Sequence, residues 1–497
     1  MKKVIQDDVF DLIHCLDPAE KGHFSRFAQR HVLKDGNNYE QLFQLLAKMS
    51  AYDPEYLEDQ LKKLGISSPL AAAKSHLKSI IFRAMRDYNT SRDTHTCLLE
   101  GLGNLAFLYE KKQYDLLRKE LKRLKKIAEL HAEHHILFKI GDYERKLHKE
   151  TARRDLVEGM EAILSEMQLQ ARAFQNQLLF GHLLDKMFII ANKSGSDREQ
   201  AVNALLATEL LATEENAITL MSRIYYHQIH AAAFMLKGQY AAAQRKYNAV
   251  VSLWENAPHL IQEFPSTYRR ALGNYLQIFG LTSDYSSFED ILAKVRKVPS
   301  TELVDQAEIF SIGYNAELMW RMATHDWAGI NTLIPALREG LSTYGTMVSH
   351  GMVLAFQYHI TIFYFLSEDY AACRTWLNEI TEAPRTEQRM DIQRFAKVLG
   401  LLLLWLKGDL DLLEYEHRSV SRYLENWGSG TLEQYVLDLV QALLQASEAS
   451  AQQKALEEFR ALVSEPSQQG ALGFSVLRAW VVGRLTGVSP RSVISTN

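Results

Sequence analysis

Residues 227–250 read HQIHAAAFMLKGQYAAAQRKYNAV, and this stretch decides the fold. It predicts two amphipathic helices folded back on each other across the turn Lys237-Gly238-Gln239-Tyr240. Gly238 takes the positive φ that ends the first helix without a Cβ clash. Tyr240 is long enough to wedge between the two helix ends. Ala231 and Ala243 are small where the helices approach, and Phe234 and Tyr247 fill the space on either side. Such a hairpin cannot bury its apolar faces alone, so it demands stacked neighbours.

The neighbours are legible as recurring turns. An aromatic or Leu follows an Asp at Tyr285 (TSDY), Trp327 (THDW), Tyr370 (SEDY) and Leu410 (KGDL), at steps of 45, 42, 43 and 40 residues from Tyr240. Stepping backward reaches Asp197-Arg198 after Ser194-Gly195, then Asp155-Leu156, then Tyr114 in EKKQY; stepping forward reaches Gln452-Gln453. A self-similar period of this kind is the signature of a solenoid. The order small, large, Gly, aromatic, small, large at Ala231, Phe234, Gly238, Tyr240, Ala243 and Tyr247 resembles the tetratricopeptide repeat. The period here, about 42 residues, exceeds the roughly 34 of that repeat, which predicts tetratricopeptide-like turns joined to longer helices.

Composition agrees. Hydrophobic residues make up 47% and charged residues 23%, the balance of an ordinary soluble chain. Proline is scarce, and Pro258, Pro299, Pro384 and Pro466 stand where helices are expected to end. Alternating strand patterns are missing, so the expectation is an all-α protein. Cys15, Cys97 and Cys373 are far apart and odd in number, which suggests neither disulfides nor a zinc framework. Asp7 and Asp8 stand where a signal peptide needs an apolar run. The longest apolar run, Leu401–Leu406, is too short to span a bilayer. A cytoplasmic location without membrane insertion is expected.

Residues 1–100 precede the regular repeats. The segment VFDLIHCLDPAEKGHFSRF has apolar residues at helical spacing, with Asp17 and Pro18 as N-cap and first residue of a second helix. NYEQLF, YDPEYL, a helix ending RAMRDYN, and LYEKKQYDLLRKELKRLKKIAEL follow. These pieces, in this order over roughly the first 150 residues, resemble an uncharacterised family of bacterial helical-repeat proteins common in the Bacteroidota. The resemblance implies a helical-repeat fold and a bacterial source, and implies no mechanism.

Charge is unevenly placed. Residues 111–154 carry 14 basic and 7 acidic side chains, whereas residues 301–497 carry 15 and 23. The basic block centres on Arg118, Lys119, Lys122, Arg123, Lys125 and Lys126, with Arg145, Lys146, Lys149, Arg153 and Arg154 further on. On a helix, 118, 122 and 125 form one stripe and 119, 123 and 126 another, flanking Leu117, Leu121, Leu124 and Ala128. The stripe reads as a surface for phosphate or an acidic partner, or as a solvated face partly neutralised by Asp115, Glu120 and Glu129. Aromatic residues are not interleaved with it, which argues against a nucleic-acid stacking platform. The acidic C-terminal half of a second copy is a further partner that the charge map allows.

No catalytic constellation emerges. His131 and His135 in HAEHH have a two-ligand helical spacing, but HExxH and HxxEH are missing and no third ligand is evident, so a structural histidine group is expected. Glu414 and His417 match half of a di-iron bundle motif that needs a second pair. Gly101 and Gly103 superficially match a dinucleotide fingerprint, yet lie in a helical pattern with no preceding strand, where glycine serves close helix packing. There is no phosphate loop and no nucleophile elbow. No metal or cofactor is expected, and the chain is read as a non-enzyme.

What remains is a surface. By resemblance to tetratricopeptide arrays, the first helix of each hairpin lines a concave face, which places Tyr225, Gln228, Arg270, Gln277, Asn315, Met319 and Tyr358 in a groove. Amides, an arginine and tyrosines there suit an extended protein or peptide segment; bonding of these residues to one another between helices is the competing reading. The expected architecture is a right-handed α-solenoid spanning 101–488, after a helical section over 1–100 and before a frayed polar tail at 489–497. The expected function is a non-catalytic scaffold or adaptor. The alternative is a ligand-responsive or nucleic-acid-associated factor acting through the basic helix.

Overall fold

The computed structural model describes residues 7–30, 38–63, 69–90, 93–151, 156–191, 196–282, 284–300, 302–384, 389–428, 430–464 and 473–495. Among the described residues the protein is all-helical, with no strand, and no helix is long and apolar enough to cross a membrane. The chain divides into two compact units, Met1–Lys186 with Ala207–Tyr226 and Met187–Leu206 with His227–Asn497. The helix Thr94–Glu110 runs across residue 100, where the regular repeats are expected to begin.

The first unit begins with α1 (Asp8–Cys15), α2 (Pro18–Arg30), α3 (Asn38–Lys48), α4 (Pro54–Lys63) and α5 (Leu70–Thr90). Asp17 caps α2 as expected: the Glu20 amide donates to its carboxylate at 2.7 Å, and its own amide donates to the Glu20 carboxylate at 2.9 Å. Phe24, Phe43, Leu46, Leu57 and Ile81 close an apolar cluster among these helices. Then come α6 (Thr94–Glu110), α7 (Tyr114–Leu130), α8 (His134–Thr151) and the long α9 (Leu156–Ala191). A separate cluster, built from Leu98, Leu105, Leu117, Leu121, Leu124 and Ile140, ties α6, α7 and α8 together.

The second unit holds α10 (Ser196–Leu206) and, from His227 on, the rest of α11 (Leu220–Leu236), and continues with α12 (Tyr240–Glu255), α13 (Pro258–Glu263), α14 (Pro265–Thr282), α15 (Phe288–Lys297), α16 (Leu303–Ala323) and α17 (Trp327–Tyr344). It ends with α18 (His350–Leu366), α19 (Tyr370–Glu382), α20 (Met390–Lys407), α21 (Leu410–Trp427), α22 (Thr431–Gln445), α23 (Ala449–Val463), α24 (Phe474–Thr486) and α25 (Pro490–Ser495). Helices α14, α16, α18 and α20 each pack on the second helix after them, so that the row runs from α14 to α22, in addition to their sequence neighbours.

Six turns share one hydrogen-bonded closure. A residue in the left-handed region stands at Lys112, Ala132, Gly238, His325, Glu368 and Gly408, with φ between 53° and 78°. The amide after it reaches back five residues: Gln113 to Leu108, Glu133 to Ala128, Gln239 to Phe234, Asp326 to Arg321, Asp369 to Tyr364 and Asp409 to Leu404, at 2.8–3.2 Å. This is the Schellman closure, which satisfies carbonyls that a helix end leaves orphaned. Asp326 and Asp369 then cap the next helix, accepting from the Gly329 and Ala372 amides at 2.9 and 3.0 Å. Helices accordingly begin at Tyr114, Tyr240, Trp327, Tyr370 and Leu410, the expected residues; the turn at Ala132 carries no sequence signal used above. At Glu368, an exposed non-glycine in this region, Glu368→Gly is expected to stabilise the protein by about 1 kcal/mol by relieving Cβ strain, read as a raised urea midpoint.

Elsewhere the turns depart from expectation. The helix after Tyr285 begins only at Phe288, and Phe288, buried and stacked on Trp320 at 4.9 Å between centroids, takes the wedge position. Gln452 and Gln453 lie inside α23, and Asp197 and Arg198 sit in the first turn of α10, whereas Pro258 follows the end of α12 as expected and also opens α13. Asp155, Ser194, Gly195 and Pro466 fall outside the described residues.

The C-terminal end does not simply stack on. Helix α24 packs against α18 as well as α23, with Trp480 6.0 Å from Phe365 and 6.2 Å from Trp405 between ring centroids. The stretch expected to be a frayed tail forms α25, with Pro490 and Val493 buried. Arg491 explains why: it donates to the Ser367 hydroxyl and lies over Phe363 and Trp327 at 4.8 and 5.1 Å. Those rings come from helices more than a hundred residues upstream, so local polarity gave no hint of them.

Candidate functional site

The basic stripe forms on α7 because Leu117, Leu121, Leu124 and Ala128 bury one face against α6 and α8 and turn the intervening cations outward. Those cations divide into two sets. Arg118 lies 3.1 Å from Asp115, Arg123 is held by Glu120 at 2.6 Å, and Lys125 donates to Glu144 of α8 at 3.2 Å. The Glu120 carboxylate holds the Arg123 guanidinium well above its usual range. Among the described residues, Lys119, Lys122 and Lys126 have no carboxylate partner. Arg118, Lys122, Lys125 and Lys126 line one wall of an open cleft of about 690 Å³, with His148 of α8 and Ile163 of α9 on the other side. The two stripes are therefore unequal, since 118, 122 and 125 face the cleft whereas Lys119 and Arg123 do not line it. Arg153 and Arg154 fall outside the described residues.

The groove candidates separate sharply by burial. On α14, Arg270 and Gln277 are exposed, and Asn274 stands exposed between them. On α16, which packs against α14, Met319 is 44% exposed and Asn315 is half-buried. Tyr225 and Gln228 on α11 are half-buried. Tyr358 does not line a groove. It is 6% exposed, edge-on to Phe395 at 5.6 Å, and burial pushes its hydroxyl above the usual tyrosine range. The expected register left one face of α18 open, but α16, α17, α19, α20 and α24 all contact this helix and leave it almost no solvent face.

Competition from neighbours does not consume the exposed set. Among the described residues, Arg270, Asn274, Gln277 and Asn315 have no side-chain hydrogen-bond or ion-pair partner. The reading in which these residues bond one another between helices therefore fails for α14 and α16.

The remaining motifs resolve as packing. A Cβ at Gly101 would lie 2.3 Å from Leu124 of α7, so this glycine permits the close crossing of α6 and α7; Gly103 faces open space. His417 reaches the Leu437 carbonyl at 3.1 Å, and Glu414 accepts from Arg418 at 2.9 Å. Of the HAEHH histidines, His134 pairs with Gln170 of α9 at 2.7 Å.

One half-buried and one buried titratable group, His359 and Cys373, make checkable predictions. Burial, then the Arg389 charge, pushes His359 down to about 4 from 6.5. A depressed folded-state value means the unfolded chain takes up the proton first, so this contribution is complete above pH 6.5 and is lost as pH falls towards 4. The melting temperature of His359→Phe is expected to fall less between pH 7 and pH 4.5 than that of the parent protein; parallel curves would refute this assignment. Burial pushes the Cys373 thiol up to about 12. Iodoacetamide is therefore expected to label exposed Cys15 in the native protein and Cys373 only after unfolding.

Compared with family models, curated proteins and solved structures, the chain matches none of them.

Proposed function

We propose that this chain is a right-handed α-solenoid of tetratricopeptide-like hairpins, with a repeat of about 42 residues, that serves as a cytoplasmic, non-catalytic adaptor for a protein or peptide. The repeat reading is supported by the six like turns and by the packing of each second helix from α14 to α22. The single observation that carries the binding reading is the row Arg270, Asn274 and Gln277 beside Asn315 and Met319. Its polar heads are presented to solvent with no internal partner, next to an exposed apolar side chain. Amides and a guanidinium so placed can bond a peptide backbone, and the thioether supplies adaptable apolar area.

The test is affinity capture from source cells with the parent protein, an Arg270→Glu/Gln277→Lys/Met319→Glu variant and a Lys122→Glu/Lys126→Glu variant. A stoichiometric partner lost only with the first variant supports the groove. Failure of the parent to retain any stoichiometric partner defeats the adaptor reading.

The unneutralised Lys122 and Lys126 favour a second reading, a ligand-responsive or nucleic-acid-associated role of the cleft beside α7. It requires binding of a phosphate-bearing ligand that weakens steeply with salt and is abolished by the lysine variant.

A further inference from the structure

A metal centre was not expected from the HAEHH segment, because sequence spacing offers no third ligand there. The fold supplies one from a different helix. Asp93 caps α6, accepting from the Thr96 amide at 2.7 Å, and so fixes His95 in the first turn of that helix. The left-handed Ala132, with φ 53°, closes the end of α7, and the Glu133 amide is bonded to the Ala128 carbonyl at 2.9 Å. Glu133 is thus held immediately before α8, which carries His135 in its first turn. Because α6 and α8 pack together, two helix starts some forty residues apart in sequence bring two imidazoles to one carboxylate.

The geometry fits a cation. Nδ1 of His95 is 3.6 Å from one oxygen of Glu133, and Nδ1 of His135 is 3.3 Å from the other. The ligand atoms of all three residues lie within 4.8 Å of one another. With metal–nitrogen bonds of about 2.1 Å, neighbouring ligands of a tetrahedral zinc are about 3.4 Å apart, close to each nitrogen–oxygen distance here, with the two imidazoles on different oxygens of the one carboxylate. The Glu133 side chain is 15% exposed, while the His95 and His135 side chains are 45% and 39% exposed. The anion is therefore set inward and the imidazoles open to solvent, leaving room for entry and for water. Phe174 of α9, 5.7 Å from the His135 ring, walls one side.

We propose that His95, Glu133 and His135 form a three-ligand site for a borderline divalent transition metal such as zinc, with the remaining position open to water or a partner's side chain. Two imidazole nitrogens and one carboxylate oxygen favour zinc, cobalt or nickel over calcium and magnesium, which want oxygen alone. A metal so held ties the start of α6 to the turn before α8, and its gain in binding energy adds to the stability of the folded first unit.

The test uses the full-length chain after chelator dialysis. Zinc is titrated by calorimetry and cobalt by visible absorption, with thermal melts alongside, for the parent and for His95→Ala, Glu133→Gln, His135→Ala and the control His134→Ala. Circular dichroism checks that each variant keeps its helical content. The expected result is one metal per chain, cobalt d–d bands and a higher melting temperature with zinc. Each ligand variant should weaken binding by more than about 100-fold, beyond the roughly 10–100-fold of losing an outer partner, and His134→Ala only slightly. The proposal is overturned if the parent binds no stoichiometric metal at micromolar concentration. It also fails if folded ligand variants bind like the parent, or if His134→Ala abolishes binding.

Discussion

Arg269→Ala is expected to destabilise the second unit by about 3 kcal/mol, the lower end of the cost of breaking a buried ion pair. The side chain projects from α14, is fully buried, and reaches two carboxylates of α16. Its Nε and Nη2 donate to Glu308 at 2.9 and 2.7 Å, and Nη2 also donates to Asp305. Two effects compete when it is removed. The stem leaves a cavity and the helices lose a charged clamp, but Asp305 and Glu308 are 28% and 31% exposed and recover water. That recovery keeps the loss at the lower end. Arg269→Met fills most of the volume and is expected to cost about half as much, since the transfer and cavity part of the penalty is then avoided. Urea unfolding followed by circular dichroism separates the cases. Equal losses for alanine and methionine would show that charge, and not volume, dominates; a loss below about 0.5 kcal/mol for alanine would mean that the clamp contributes nothing.

Gly340→Ala should lower stability by about 2–3 kcal/mol, although the same exchange within a helix ordinarily raises it by roughly 0.5–1 kcal/mol. A Cβ at position 340 would stand 2.0 Å from Phe310 across the α16–α17 crossing. Phe310 has little room to yield, because Tyr314, Tyr344 and Phe356 surround its ring at centroid distances of 4.9, 5.3 and 5.7 Å. Gly103→Ala is the control: a Cβ there meets nothing within 4 Å, so it should stabilise by the ordinary amount. Gly101→Ala falls between, because the obstructing atoms are the methyl ends of Leu124. Opposite signs for positions 340 and 103 in one thermal-melt series are the expected result, and a stabilising Gly340→Ala would refute the close crossing.

The helical class and most of the turns were legible because their causes are local. Gly238, Asp326, Asp369 and Asp409 each stand within a few residues of the bonds they terminate or cap, and a helix end needs those bonds whatever it packs against. The same locality made Gly101 readable as a packing glycine. The turn at Ala132 escaped because alanine carries no preference for the left-handed region, and only the stacking of α7 on α8 holds it there.

Taken alone, the sequence determined most of the helix starts and stops and that α7 presents cations to solvent, since periodicity and capping act over one or two turns. Tertiary packing decided the rest. Tyr358 was lost to the core because α24 and four other helices surround α18. Residues 490–495 became a helix because Arg491 found Phe363 and Trp327. His95 joined Glu133 and His135 because α6 and α8 start side by side. Each of these turns on contact between segments far apart in the chain. Which distant surfaces meet is set by the summed burial of whole helices, and a pattern read over a few residues does not contain it.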